Sequence, residues 1–180
     1  MYGIVNNGIQ ELVVSNFGLL TWEAVKKRSQ VDIDYFISSE PYPDEITYKL
    51  AIAVSEETGT PLFEVLRQFG HYWVLVTGKQ KYGVLMQAGG SSLPEFLNNL
   101  PMFHSRLMLI YPKLSPPEFR VEMLGPTSAE VHYYSSRVGL QPMMIGLLEG
   151  LGMMFELKTE VKMIQSRDEG ADHDVFTINW

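Results

Sequence analysis

The strongest constraint on the fold lies in the second half of the chain. An alternating stretch, Phe119 to Met123, runs into Gly125-Pro126, a turn signal, and then into Val131-His132-Tyr133-Tyr134-Ser135-Ser136-Arg137. This is the pattern of a β-hairpin whose second strand ends in the polar run. Side chains at i, i+2 and i+4 of a strand share one face. Tyr133, Ser135 and Arg137 are therefore expected to project together, spread over about 13 Å at about 3.3 Å per residue. A phenol hydroxyl, a small hydroxyl and a guanidinium fork can all donate to an anion, and arginine can grip a carboxylate with two bonds. The strip suits a ligand with more than one negative group. A solvated strand face is the other reading of the same three residues.

Ahead of the hairpin the pattern is helical. Val5, Ile9, Leu12 and Val13 make an apolar stripe between Gly3 and Phe17, with Gly18 as a stop. Further helices are expected from Thr21 to Arg28, from Asp44 to about Glu57, and from Thr60-Pro61 to Gly78. The last carries Leu62, Val65, Leu66, Phe69, Trp73 and Val76 on one side. A short helix around Tyr82 to Met86 and one capped by Ser91 or Ser92 follow, and then a segment from Pro101 to Tyr111 that Pro112 ends. His104 falls inside the apolar stripe Leu100, Phe103, Leu107, Met108 and Tyr111. An interior histidine is either a hydrogen-bonded core residue or a neutral imidazole offered to a metal in an apolar cavity. Behind the hairpin, Leu140 to Phe155 reads as a helix in which Gly146, Gly150 and Gly152 let a partner surface come close. Glu156 to Gln165 and His173 to Trp180 alternate like strands about an Asp168-Glu169-Gly170 turn. Joined to the hairpin they give a four-stranded antiparallel sheet, and the class is α+β. Residues 1–180 form one domain, with a helical lobe to about residue 60 and a larger lobe of helices on the sheet from about residue 61.

Charge and composition exclude several functions. With 14 Lys and Arg against 21 Asp and Glu the net charge is −7, which argues against a nucleic-acid surface. There is no cysteine, hence no disulfide, thiolate metal site or cysteine nucleophile. No apolar run approaches the roughly 18 residues of a membrane span and no signal peptide opens the chain, so a cytoplasmic location is expected. The Ala88-Gly89-Gly90-Ser91-Ser92 loop lacks a P-loop lysine. His132 should face away from Tyr133, His71 away from Trp73, and Asp172-His173-Asp174 reads as a solvated strand start. The acidic pairs near helix ends read as surface charge, so no catalytic pair is expected and the chain is not read as an enzyme.

An interior histidine and a Tyr-Ser-Arg strip are the two things a haem requires: an axial nitrogen, and donors for two propionates. At this point the sequence resembles the H-NOX family of haem-nitric oxide/oxygen binding domains. The family's YxSxR motif stands as Tyr133-x-Ser135-x-Arg137, its proximal histidine as His104, and the opening Met1-Tyr2-Gly3-Ile4-Val5, Pro116-Pro117 and Gly146-Leu147-Leu148-Glu149-Gly150 match as well. The resemblance spans essentially the whole chain. It implies a pentacoordinate ferrous haem b lying between the lobes and ligated by His104, with Tyr133, Ser135 and Arg137 on its propionates. Pro117 presses on the porphyrin, and Val5 and Leu147 pack against it. In the family, nitric oxide can break the iron–histidine bond and free the helix that carries it, a ligand-biased two-state element.

The choice of gas rests on the distal side. Oxygen-binding members carry a tyrosine just after the YxSxR strand, whereas Val138 to Met144 contains none. Trp73 resembles a distal tryptophan of nitric-oxide-selective members, with Met143 near it. An apolar distal pocket that binds nitric oxide and carbon monoxide but not dioxygen is therefore expected. No output domain lies between Met1 and Trp180. A separate partner is expected, which the resemblance suggests is a histidine kinase or a cyclic-di-GMP enzyme. The competing classes are a dioxygen-binding haem protein, a peroxidase-like haem enzyme, for which no distal acid–base residue stands out, and a haem-free module binding an anionic small molecule.

Overall fold

The computed structural model describes all residues from Met1 to Trp180. In order, the elements are α1 (Gly3–Phe17), α2 (Leu19–Ser29), α3 (Asp44–Thr58), α4 (Leu62–Tyr72), a π-helical turn (Trp73–Gly78), α5 (Lys79–Gln87), α6 (Leu93–Asn98), α7 (Leu100–Ile110), β1 (Glu118–Gly125), β2 (Ser128–Tyr134), α8 (Gln141–Met154), β3 (Glu160–Gln165), a 3-10 turn (Arg167–Glu169) and β4 (Asp174–Asn179). The class is α+β, as the sequence pattern implies. The chain divides into two compact units, Met1–Phe69 and Gly70–Trp180.

In the first unit α1, α2 and α3 bury their apolar stripes together, with Val13, Trp22, Val25 and Leu50 almost fully enclosed. Gly18 separates α1 from α2 at φ +86°, a conformation that L side chains resist. Asp44 is the first residue of α3 rather than its cap, and its carboxylate pairs with the amino terminus.

In the second unit, Gly78 does not end the fourth helix. It keeps helical dihedrals (φ −62°, ψ −47°), and the irregular residue comes later, at Tyr82 (φ −128°). Ahead of Tyr82, the π turn from Trp73 to Gly78 shifts the helical register. The buried side beyond Phe69 consequently passes through Val74, Thr77 and Gly78, while Trp73 and Val76 are half-buried. The single stripe expected from a 3.6-residue period breaks at this turn.

The sheet order is β1-β2-β4-β3, antiparallel throughout. Its inner face carries Phe119, Ala129, Val131, Tyr133, Phe176 and Ile178, packed with Leu148 and Leu151 of α8 and Leu93, Phe96 and Leu97 of α6. β3 begins at Glu160 rather than Glu156, because Glu156 (φ +60°) turns the chain out of α8 and Gly152 accepts the Leu157 N–H at 2.9 Å. Gly152 also meets Thr159 so closely that a Cβ there would lie 2.3 Å from its methyl group. Phe176 is fully buried on the central strand β4. Truncating it to alanine is expected to cost about 3–5 kcal/mol, because the surrounding strands cannot close the cavity. Chemical denaturation of Phe176→Ala measures this, and a loss below about 1 kcal/mol would contradict the assigned core.

Candidate functional site

Leu100 is the one buried residue of α7, and one helical turn later comes His104. The His104 Nδ1 lies 2.9 Å from the Leu100 carbonyl oxygen. A carbonyl only accepts, so Nδ1 carries the proton and the lone pair sits on Nε2. Nε2 makes no hydrogen bond in the chain and is not occluded, so it opens onto accessible space. Burial lowers the pKa of the imidazole below the ordinary histidine value, and the Leu100 carbonyl opposes this more weakly. The ring is thereby neutral, its tautomer fixed by a backbone carbonyl, which is how a metal-ligating histidine is prepared.

A row of aromatic rings carries this histidine to the Tyr-Ser-Arg motif. Phe96 and Phe103 stand 5.7 Å apart, Phe103 and His104 5.6 Å, His104 and Phe119 5.2 Å, and Phe119 and Tyr133 5.6 Å between centroids. The row joins α6, α7, β1 and β2. Phe119 was not a sequence candidate. Its signal is the hairpin register, because Phe119 pairs with Tyr133 and so shares its face.

The motif itself departs from the straight strip expected. The ladder ends at Tyr134, which pairs with Glu118, the first residue of β1. Upstream of Glu118 stand Pro116 and Pro117, which have no N–H to continue it. Beyond the ladder the chain turns, and the Arg137 N–H donates to Ser135 Oγ at 3.1 Å. Ser135 and Arg137 both act on the Tyr133 hydroxyl, so the three residues of the motif stand close together. Burial raises the phenol's pKa, while Ser135 and the Arg137 charge oppose the shift. Arg137 donates to the Ser115 carbonyl at 3.0 Å, which fastens the connector holding half-buried Pro117. Arg167, unnoticed in the sequence, donates to the Ser135 carbonyl, and its own N–H reaches Asp174 Oδ1 at 2.8 Å. His173 and Asp174 are buried, so only Asp172 of that run is solvated as expected. Asp174 is held by Arg167, and the His173 ring stacks on Tyr134.

Of the expected distal residues, Met143 lies where Gly70 of α4 meets α8. A Cβ on Gly70 would fall 2.4 Å from the Met143 carbonyl oxygen and 2.6 Å from the Leu147 nitrogen. Glycine thus lets the two backbones touch beside Met143 and Leu147, which are both half-buried. Half-buried Trp73 follows three residues after Gly70, and His71 Nε2 meets Glu149 Oε2 at 2.7 Å. Gln141 is buried, and its amide donates to Asp168 at 3.1 Å. Val5 belongs to the first unit, half-buried on α1.

A neutral imidazole with an open nitrogen, an aromatic wall and a Tyr-Ser-Arg donor set are a chemical fit for haem. A family model described as Haem-NO-binding matches residues 2–163. The chain belongs to the haem-NO-binding family. It is a haem-binding gas sensor domain whose cofactor is haem b and whose family's ligands include nitric oxide and carbon monoxide; the domain is not itself catalytic. Among its relatives, soluble guanylate cyclase gcy-31 of Caenorhabditis elegans is 26% identical over 182 residues, covering 100% of this chain and 26% of the cyclase. The beta-2 subunit of soluble guanylate cyclase from Rattus norvegicus is 34% identical over 120 residues, covering 63% of this chain and 18% of that subunit. The chain thus spans about a quarter or less of the cyclases it matches. An H-NOX protein from S. oneidensis, in its Fe(II)NO ligation state, superposes with a TM-score of 0.89 at 19% identity, covering 99% of this chain and 98% of that one. No helix is long and apolar enough to cross a membrane.

Proposed function

We propose that this haem-NO-binding domain senses nitric oxide through a five-coordinate ferrous haem b ligated by His104. Tyr133, Ser135 and Arg137 donate to the propionates, Pro117 presses on the porphyrin, Val5 and Leu147 pack against it, and Trp73 and Met143 line an apolar distal pocket. When bound, the haem supplies the iron that takes up the gas. The observation that carries this reading is the fixed tautomer of His104, with Nδ1–H on Leu100 and Nε2 open beside Phe119. Phe103 and Phe119 flank that ring, and burial keeps it unprotonated.

Two observations support the finer claims. Dioxygen binding depends on a hydrogen-bond donor far more than nitric oxide or carbon monoxide binding does. Gln141, the amide nearest Met143 in sequence, is held by Asp168, which favours nitric oxide and carbon monoxide over dioxygen. On the output side, α7 is weakly anchored. Only Leu100 at its start is buried, while Met108, Leu109 and Ile110 at its end are 40%, 83% and 57% exposed. Such a helix can shift at little cost and present its apolar end to a partner, a histidine kinase or a cyclic-di-GMP enzyme on a separate chain. Absorption spectra of the reduced protein test the gas assignment. Nitric oxide and carbon monoxide should each shift the Soret band, and air should give no stable oxy spectrum. A long-lived oxy spectrum would reverse the selectivity.

A further inference from the structure

The outer face of the sheet holds a cluster that gas sensing leaves unused. The β1–β2 register sets Glu122 opposite Glu130 and Arg120 opposite His132, and Glu130 and His132, two apart, share a face. Carboxylates placed directly opposite in a ladder repel each other. Between them comes His132 Nε2, 4.0 Å from Glu122 Oε1 and 3.8 Å from Glu130 Oε2. That nitrogen is fully occluded and makes no hydrogen bond. One ligand atom from each of the three residues falls within 4.8 Å of the others.

A relay behind His132 fixes its tautomer. His173 Nδ1 lies 2.6 Å from Asp172 Oδ1, and His173 Nε2 lies 2.8 Å from His132 Nδ1. The carboxylate only accepts, so the His173 proton is on Nδ1 and its Nε2 accepts. His132 then donates from Nδ1, and its Nε2 is left enclosed and facing two carboxylates. The Tyr134 ring, stacked at 4.1 Å, holds His173 in place. An unpartnered, enclosed nitrogen confronted by two carboxylates leaves room for a cation among the three groups.

We propose that Glu122, Glu130 and His132 bind a divalent transition-metal ion, with His173 and Asp172 orienting the histidine from behind. One imidazole and two carboxylates suit zinc and its first-row neighbours better than calcium or magnesium, which take oxygen alone. The separations of 3.8 and 4.0 Å exceed the roughly 3.4 Å edge of a tetrahedral zinc site. Glu122, 43% exposed and now paired with Arg120, closes that gap by exchanging Arg120 for the ion. Tyr133, on the opposite face of the strand, leaves the haem site separate.

The test is equilibrium dialysis of the haem-loaded full chain against micromolar zinc chloride, with zinc measured by mass spectrometry and the thermal midpoint recorded with and without zinc. The wild type should take up one zinc per chain and gain thermal stability from it. His132→Ala and Glu130→Gln should lose both effects, and Asp172→Asn should bind about tenfold more weakly, as loss of an outer partner does. Glu130→Gln replaces a half-exposed side chain and stands in if His132→Ala does not fold. Two results overturn the proposal: no stoichiometric uptake by the wild type, in which case a proton serves His132, or equal uptake by the folded variants, in which case binding is adventitious.

Discussion

His104→Gly is expected to purify colourless from cells that yield a red wild-type protein, and imidazole in the growth medium should restore the pigment. The chain has four histidines, and the structure disposes of three. His71 is engaged by Glu149, and His132 and His173 bond each other on the outer sheet face. Only His104 combines an open Nε2 with an aromatic wall leading to the Tyr-Ser-Arg motif. Glycine leaves room for a free imidazole against Phe119, and its cost in a helix interior, about 1 kcal/mol relative to alanine, is small enough for the fold to survive. A variant that holds haem fully without added imidazole would mean that another group ligates the iron.

The second large effect is at Gly70. Gly70→Val should destabilise the protein by about 3 kcal/mol, the upper part of the usual range for overpacking. Propensity alone favours valine over a helical glycine, by roughly a few tenths of a kcal/mol. Here the new Cβ would meet the Met143 carbonyl at 2.4 Å and the Leu147 nitrogen at 2.6 Å. Both are backbone atoms that no rotamer change can clear, so α4 and α8 must part and the clash outweighs propensity. Because the same segment of α8 carries Met143 and Leu147, the carbon monoxide spectrum of the variant should change along with its denaturation midpoint. Unchanged stability would show that the two helices do not touch here.

Much of this arrangement was legible in the sequence because its signals are local. Alternation around Gly125-Pro126 set the hairpin, and Ser91 or Ser92 marked the start of α6, where it is the Ser92 side chain that accepts the Glu95 N–H. His104 was visible inside its stripe. What escaped depends on distant partners. The π turn at Trp73 to Gly78 has no motif of its own, and Gly78 read as a stop although it stays helical. The end of β2 is set by the prolines ahead of the other strand, so the Ser135–Arg137 turn could not be read from alternation. Arg167 reaches Ser135 across 32 residues. His132 and His173, 41 residues apart, looked unremarkable when each was read among its own neighbours.

The measurement that bears most directly on the account is resonance Raman spectroscopy of the reduced wild-type protein grown with and without nitrogen-15-labelled histidine. Ligation through His104 Nε2 predicts an iron–histidine stretching band that moves to lower frequency on labelling and is absent from His104→Gly. A band that ignores the label, or one that persists in His104→Gly, would contradict it.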